Sequence, residues 1–371
     1  MRERLGKLLL VVGSVVGTLL LADIVFLVVH GPVRTVENFY EPDARFGYRM
    51  RPNLEFVFAS PYHGYHATVR TNELGLRDDP VPLPKPSGTF RVLLIGDSMT
   101  AGLEVDKGAT FEATSERLLG ARRSTEVVNA GVRGYNLDNI VGYLDAAGLK
   151  LQPDLVVYVF TDNDLTTATT FQPEKGDISR GFSVHGFVGR VATYSHIAYR
   201  IEILRQRIAL RRLRDRQQAD ATTVQLPGGI VSFLTNSNWP AHPGFILTAQ
   251  RIEHLVRACA EREIPFLLAN APQRETIDPE SRQFLTAQLG ADHKLDFDGM
   301  SRYLDWVASK LEVPRFDPTP EFRSRRARDG DYWFHKDGHL NDRGHRLLGE
   351  LLAARIESLL EPGRVSAPDS R

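Results

Sequence analysis

Cysteine is nearly absent from this sequence. The 371 residues include one cysteine, Cys259, so a disulfide bond within the chain is excluded. No group of cysteine and histidine residues has the spacing of a structural zinc site. We therefore expect a protein that folds around its own apolar core and uses neither a metal nor another cofactor.

The sequence also lacks an excess of charge of either sign. Lysine and arginine together number 46, as do aspartate and glutamate, and the formal net charge is zero. A broad positive field supplies most of the nonspecific affinity of proteins for nucleic acid, so this balance argues against a nucleic-acid partner. With 42% apolar and 25% charged residues, the composition is that of a large globular domain with appendages.

Residues 8–29 form an apolar run that is long enough to span a bilayer as a helix. Its small or polar interruptions are Gly13, Ser14, Gly17, Thr18 and Asp23, and it is preceded by Arg2, Arg4 and Lys7. The positive-inside rule then keeps the N-terminus in the cytoplasm and places the rest of the chain across the membrane, in a bacterium the periplasm. A cleaved signal peptide is the rival interpretation, but its apolar region is normally shorter and followed by a small-x-small cleavage site. The sequence thus predicts a single-pass anchor over residues 1–30.

Residues 31–88 are rich in proline, tyrosine and phenylalanine and show no helical periodicity. This segment closes with four prolines at alternate positions, Pro80, Pro82, Pro84 and Pro86. We expect an extended linker before the main domain.

Short apolar runs alternate with helical patterns over residues 89–361, which we interpret as one catalytic domain. The predicted strands are 90–95, 127–129, 155–160 and 264–268, and the predicted helices are 111–119, 137–149, 245–262 and 342–360. Such alternation indicates an α/β fold with a central parallel sheet between two layers of helices. Ligands bind such sheets at the C-terminal ends of the strands.

One insertion, residues 171–243, interrupts this alternation. Arginines occupy many positions of a predicted helix within it. Four apolar residues recur there at helical spacing, namely Ile197, Ile201, Leu204 and Ile208. This basic amphipathic helix either packs on the domain with a solvated face or lies on anionic lipid or a polyanionic substrate. The tail, residues 362–371, is short and polar, and we expect it to be disordered.

The first predicted strand of the domain leads into Gly96-Asp97-Ser98-Met99-Thr100. A serine at a tight turn between a strand and a helix is presented at the end of the strand, where a nucleophile belongs. The free N–H groups at the start of the following helix are suited to stabilising an anion that forms beside Ser98.

A candidate base lies near the end of the sequence. Serine needs a base to remove its proton, and the base needs an acceptor to orient its ring. In the stretch Asp337-Gly338-His339-Leu340-Asn341, His339 precedes the last predicted helix and Asp337 is close enough to hold the imidazole. The alternative interpretation of this stretch is a polar turn that caps the helix.

Two further turns supply candidate donors for an oxyanion. The second predicted strand runs into Asn129-Ala130-Gly131, whose backbone N–H groups can approach a ligand closely. The third runs into Thr161-Asp162-Asn163-Asp164, which places the side-chain amide of Asn163 at the same edge of the sheet.

These four blocks together resemble the SGNH (GDSL-like) hydrolase superfamily, in which a serine, a glycine, an asparagine and a histidine follow one another in this order. The resemblance covers roughly residues 90–360, and the chain most resembles the bacterial membrane-anchored members. It implies a flavodoxin-like three-layer sandwich. It makes Ser98 the nucleophile and an oxyanion donor, Gly131 and Asn163 the other donors, His339 the base and Asp337 the third member of the triad. The pair Asp342 and His345 has the acid-to-base spacing usual in the family, but the His-x-Asn-x-x-Gly run aligns at His339.

The resemblance implies a serine esterase acting on ester-linked acyl groups. An enzyme outside the cytoplasm makes an acylated cell-envelope or exported polysaccharide a plausible substrate. The sequence leaves two alternatives open: an O-acyltransferase of the same fold that modifies a polysaccharide, and a non-catalytic carbohydrate-binding or scaffold protein.

Overall fold

The computed structural model describes residues 2–30, 39–60, 63–165, 228–290, 294–335 and 337–361. Two compact units are present, one formed by residues 1–41 and 177–225 and the other by residues 42–176 and 226–371. The basic helix predicted around Ile197 to Ile208 and the tail at 362–371 both lie outside the described residues.

The described part of the first unit consists mainly of helix α1, Arg2–His30. Among the helices in the described residues, none combines the length and the apolar character needed to cross a membrane. The membrane-spanning anchor predicted over residues 8–29 is therefore not supported. A carboxylate such as Asp23, which lies within the predicted span, is costly inside a bilayer.

The second unit is an α/β domain built around a parallel sheet. Its strands are β1 (Tyr40–Asp43, which begins in the first unit), β2 (Gly47–Met50), β3 (Glu55–Ser60), β4 (Tyr65–Arg70), β5 (Phe90–Gly96), β6 (Thr125–Asn129), β7 (Leu155–Phe160), β8 (Phe266–Asn270) and β9 (Arg315–Phe316). Its helices are α2 (Ser98–Ala101), α3 (Phe111–Gly120), α4 (Leu137–Ala146), α5 (Gly228–Thr235), α6 (Pro243–Ala260), α7 (Arg274–Ile277), α8 (Pro279–Leu289), α9 (Gly299–Leu311), α10 (Thr319–Asp329) and α11 (Asp342–Leu360).

The five strands of the central sheet are parallel and lie in the order β6-β5-β7-β8-β9. Strand β5 is inside the sheet, with Leu94 opposite both Asn129 of β6 and Val157 of β7. All six residues of β7 are buried, as expected of a strand covered on both faces. The predicted α/β class with a central parallel sheet is confirmed.

Alternate residues along each strand face different helices. Val92, Leu94 and Val157 join a core with Phe111 of α3 and apolar residues of α11. Leu93 faces the other side, where an added Cβ at Gly148 would contact both Leu93 and Leu144 of α4. The β5 strand is thus enclosed by apolar side chains from both layers, and its C-terminal end carries the site.

The segment 31–88 differs from the extended linker expected from its composition. Strands β3 and β4 form an antiparallel hairpin, with Phe58 opposite Ala67. In β3 every second residue, Phe56 and Phe58, is buried, and β4 alternates likewise. This period of two is typical of strands with one buried face. The linker was predicted from the lack of a helical period, which does not distinguish a linker from such strands.

Candidate active site

The nucleophile turn joins β5 to α2. The Asp97 carboxylate caps α2 by accepting the Met99 N–H at 2.9 Å, so Ser98 becomes the first helical residue. Gly96 is required by close packing, because a Cβ there would clash with the Thr100 side chain. The local sequence thus fixes Ser98 at the C-terminal edge of the sheet.

Ser98, His339 and Asp337 form a continuous chain of hydrogen bonds. The Ser98 Oγ lies 2.9 Å from His339 Nε2, and His339 Nδ1 lies 2.5 Å from Asp337 Oδ1. The same Asp337 oxygen accepts the backbone N–H of His339 at 2.9 Å. The structure therefore brings together the three residues predicted from the sequence, although Ser98 and His339 are 241 residues apart.

The charges around the triad shift two pKa values in opposite directions. Burial works to lower the pKa of His339, but the Glu104 carboxylate and the hydrogen bond that the ring donates to Asp337 outweigh burial and raise it above its ordinary value. Burial works to raise the pKa of Asp337, but its hydrogen bonds with His339 and the charge of that ring bring it down to about 2. Asp337 is consequently ionised at any pH at which the imidazole acts as a base.

The predicted oxyanion donors are near the serine but engaged with protein acceptors. The Gly131 N–H donates to Asn129 Oδ1 at 3.0 Å, and a Cβ at Gly131 would clash with Thr100 and Ala101 of α2. The Asn163 side chain is exposed and hydrogen-bonds to the Asp97 carboxylate. Both donors would have to change partner to bind an oxyanion.

Thr161 begins the turn that carries Asn163, and its hydroxyl lies within hydrogen-bonding distance of Asp97, Asn163 and Asp164. Its Oγ1 lies 3.0 Å from Asp97 Oδ2, so the third block is joined to the turn that carries the nucleophile. Asp97 is fully buried, and burial raises its pKa, while hydrogen bonds from Met99, Asn163 and Thr161 oppose the rise.

The alternative base, His345, lies in the core. It is 2% exposed, stacks on Phe111 at 5.8 Å and accepts the Phe111 N–H on Nδ1 at 3.2 Å. Burial, followed by the positive charge of Arg77, lowers its pKa to about 3. His345 is therefore neutral and committed to packing, and the structure places His339, not His345, against Ser98.

Arg77 was not predicted from the sequence, although its guanidinium supports the turn that carries Ser98. Arg77 is 1% exposed and donates to the carbonyl oxygens of Ala101, Gly102 and Val105. These carbonyls lie at the end of α2 and in the loop that follows it. In the sequence, Arg77 ends the stretch Thr71-Asn72-Glu73-Leu74-Gly75-Leu76-Arg77, which indicates no chemical role by itself.

Two other residues beside the triad, Glu104 and Arg133, were also missed. The Glu104 Oε1 lies 3.6 Å from His339 Nδ1, and Arg133 Nη1 lies 3.3 Å from His339 Nε2. Arg133 also forms an ion pair with Glu104. No local pattern could have found them, because each of their contacts with His339 joins positions more than 200 residues apart.

A cavity of about 600 Å³ extends from Glu104. Its aromatic lining is Tyr65 of β4 and Phe334, whose ring centroids lie 5.5 Å apart. Its charged lining consists mainly of carboxylates, namely Glu104, Asp106, Asp331 and Asp342, together with Arg343. The β3–β4 hairpin therefore forms one wall of the space beside the base.

Several solved structures are similar to this chain. The lipase/acylhydrolase from Enterococcus faecalis is 15% identical with a TM-score of 0.40, covering 74% of this chain and 98% of its own. An alpha/beta hydrolase enzyme from the metagenome of Lake Arreo, Spain, is 15% identical with a TM-score of 0.40, covering 72% and 95%. A catalytic mutant of an acetylxylan esterase from Geobacillus stearothermophilus is 13% identical with a TM-score of 0.39, covering 72% and 94%.

A search of curated proteins finds no match to this chain. A family model does match it over residues 94–347, which is more than half of the sequence and includes every member of the Ser98–His339–Asp337 constellation. The resemblance noted in the sequence is thereby confirmed, and the chain belongs to the GDSL-like lipase/acylhydrolase family.

Proposed function

We propose that this protein is a serine esterase that cleaves ester-linked acyl groups, with Ser98 as its nucleophile. The observation that carries the proposal is the chain of hydrogen bonds from Ser98 through His339 to Asp337. His339 Nε2 removes the Ser98 proton as Oγ attacks the ester carbonyl, and Asp337 holds the ring and stabilises the imidazolium. The imidazolium then protonates the leaving alcohol, which departs and leaves the acyl group on Ser98.

The negative charge of the tetrahedral intermediate needs donors beside Ser98. We assign this role to the N–H groups of Ser98 and Gly131 and to the side-chain amide of Asn163. Gly131 and Asn163 exchange their acceptors, Asn129 and Asp97, for the oxyanion when the substrate binds. Such donors act by hydrogen-bonding to the negative charge that develops on the carbonyl oxygen in the transition state.

The cavity beside Glu104 supports an acylated carbohydrate as the substrate. The rings of Tyr65 and Phe334 offer apolar faces to the C–H surface of a sugar, and the carboxylates of Asp106 and Asp342 can accept hydrogen bonds from its hydroxyl groups. A polysaccharide of the cell envelope or an exported polysaccharide fits this description. Water or a second sugar hydroxyl can resolve the acyl-enzyme, which is the difference between an esterase and an O-acyltransferase.

A fluorophosphonate probe and a chromogenic acetyl ester test the nucleophile. The wild-type protein should be labelled and should release acetate, whereas Ser98→Ala should lose labelling and several powers of ten in turnover. Ser124→Ala, an exposed serine outside the site, is the matched control and should behave as wild type. Labelling of Ser98→Ala at the wild-type rate would exclude this serine. Absence of labelling in the wild-type protein would favour a binding or scaffold role.

The same assay with sugar acceptors separates hydrolysis from transfer. An esterase releases acetate at a rate that does not depend on the acceptor. An acyltransferase forms acetylated sugar at the expense of free acetate. Acetylated polysaccharide offered as substrate should bind more tightly than the simple ester if the cavity recognises carbohydrate.

We also propose that the catalytic domain acts outside the cytoplasm. The support is the basic segment with Arg2, Arg4 and Lys7, which precedes the apolar run at 8–29 in the order typical of exported proteins. A reporter enzyme that is active only outside the cytoplasm, fused after Arg371, should be active. An active cytoplasm-specific reporter at the same position would exclude export.

A further inference from the structure

Glu104 is a buried carboxylate, and only one of its two oxygens is paired. The residue is 2% exposed, and within the described residues its Oε2 has no hydrogen-bond partner. A buried charge is costly unless it is paired, and a buried ion pair seldom adds net stability. The position of Glu104 therefore calls for a reason other than folding.

The Glu104 carboxylate faces the catalytic base. Its Oε1 lies 3.6 Å from His339 Nδ1, next to the 2.5 Å hydrogen bond that this nitrogen shares with Asp337. A negative charge at this distance stabilises the imidazolium that forms when His339 takes the proton of Ser98. Glu104 is thus a second carboxylate on the base.

Arg133 supplies the opposite charge at the other nitrogen of the ring. Its Nη1 lies 3.3 Å from His339 Nε2 and also binds Glu104 Oε1. A guanidinium N–H can only donate, so this contact requires the lone pair on Nε2 and places the ring proton on Nδ1, toward Asp337. That tautomer is the one that can accept the Ser98 proton.

We propose that Glu104 and Arg133 are positioning residues, an ion pair that holds the His339 imidazole in its productive form and sets the pH range in which it serves as base. This inference rests on the proposed function, because it concerns the base of that reaction. Glu104 favours the charged ring and Arg133 the neutral ring, and their balance decides where His339 titrates.

Other titratable groups lie around His339. Asp337 holds the ring from its own loop, Asp97 and His345 interact with its charge from α2 and α11, and His63 of the β3–β4 turn lies 3.9 Å from Asp337. Of the charged groups within 4 Å of the ring, Asp337 already acts in the triad. Glu104 and Arg133 are the pair whose effects on the pKa of His339 oppose each other, upward and downward respectively.

The test is a titration of the His339 ring by NMR on histidine-labelled full-length protein, with His339→Asn used to assign the signal. Glu104→Gln should lower the midpoint by about one pH unit, and Arg133→Gln should raise it by a similar amount. The acidic limb of kcat/KM against pH should move in the same directions. Glu126→Gln is the matched control, because it removes the acceptor of a different ion pair, with Arg91, and should leave the midpoint unchanged.

The outcomes separate this inference from the proposed function. Shifts of opposite sign in a protein that never labels with the probe would support the positioning pair and refute the esterase. An active enzyme whose midpoint is the same in both variants, or moves in the same direction in both, would overturn the pair. If Arg133→Gln fails to fold, Arg133→Lys replaces it, because it keeps the charge and should retain the wild-type midpoint. In the Glu104→Gln background, Arg133→Met should bring the midpoint of His339 back toward the wild-type value.

Discussion

At the scale of single residues, the proposed triad depends on the Asp337 carboxylate, which its hydrogen bonds with His339 keep ionised. Since the pKa of Asp337 is lowered to about 2, this group stays ionised down to pH values at which His339 is fully protonated. Loss of activity on acidification therefore reports the imidazole and not the carboxylate.

Replacing Asp337 by asparagine should leave the protein folded and reduce kcat by about four powers of ten, as expected when an orienting carboxylate is lost and the ring takes the wrong tautomer. The measurement is turnover of an acetyl ester, with circular dichroism to check the fold. Asp342→Asn tests the alternative acid and should alter the rate with this ester by less than about tenfold, because a simple acetyl ester lacks the sugar hydroxyl groups that Asp342 is proposed to bind. A larger loss in Asp342→Asn than in Asp337→Asn would move the acid to the other position.

Thr161 gives a second test at this scale. Thr161→Val keeps the shape of the side chain and deletes the hydroxyl that lies 3.0 Å from Asp97 Oδ2, which leaves a fully buried carboxylate with one donor fewer. We expect the free energy of unfolding to fall by about 1–3 kcal/mol and the esterase rate to fall with it. Thr161→Ser retains the hydroxyl and should keep most of the stability. Equal denaturation midpoints for the valine and serine variants would show that the contact contributes nothing.

At the scale of elements, the short helix α2 is held from outside its own sequence. Arg77 donates to three carbonyl oxygens, those of Ala101, Gly102 and Val105, at the end of α2 and in the loop that follows it. Burial lowers the pKa of Arg77 to about 10, and neighbouring carboxylates including Glu104 oppose that decrease, so the guanidinium remains charged at neutral pH.

Arg77→Met should therefore destabilise the protein by about 3 kcal/mol and lower kcat, because three buried acceptors lose a charged donor and the loop carrying Glu104 loses its support. Urea unfolding and ester turnover measure the two effects. Arg70→Met is the control, since Arg70 forms an ion pair with Glu55 at the surface and should tolerate the change without a measurable loss. A wild-type urea midpoint for Arg77→Met would refute the supporting role.

The elements also show what the sequence can and cannot predict. The buried strands β5 and β7 and the helices α3 and α11 were predicted within one or two residues, because long apolar runs and a clear helical period leave little choice. The strand β9 was missed because two residues carry no period.

The region from α7 to α10 was missed for a related reason. Helices α7, α8 and α10 are short or strongly polar, so their own pattern does not predict them. Ile277 of α7 and Phe322 of α10 join the core of the sheet, whereas Leu285 of α8 packs against α5. The candidate site divides in the same way. Ser98, His339 and Asp337 follow from ordered local blocks, whereas Glu104 and Arg133 are defined only by contacts between distant parts of the chain.

At the scale of the whole molecule, buried ionisable groups give the stability a dependence on pH with two opposing parts. Burial, aided by the nearby Glu275 and Asp97, raises the pKa of Asp162 to about 7, and burial lowers that of His345 to about 3. Between the unfolded value of 3.8 and pH 7 the folded state holds a proton on Asp162 that the unfolded state has lost, so this group destabilises the fold as pH rises. Between pH 3 and 6.5 the unfolded state holds a proton on His345 that the folded state lacks, so this group stabilises the fold as pH rises.

Two substitutions should consequently change the pH dependence of stability in opposite directions. Asp162→Asn mimics the protonated acid and keeps an acceptor for the Ile230 N–H, so between pH 4 and 6.5 the free energy of unfolding should rise with pH more steeply than in wild type. His345→Asn keeps an acceptor for the Phe111 N–H and removes the titration, so the slope should become less positive or negative. Each change should approach about 1.4 kcal/mol for each pH unit at most, as urea unfolding at half-unit steps of pH would measure. Slopes that change in the same direction in the two variants would show that other groups govern the response to pH, such as the carboxylates Asp97 and Asp164, whose pKa values are both raised by burial.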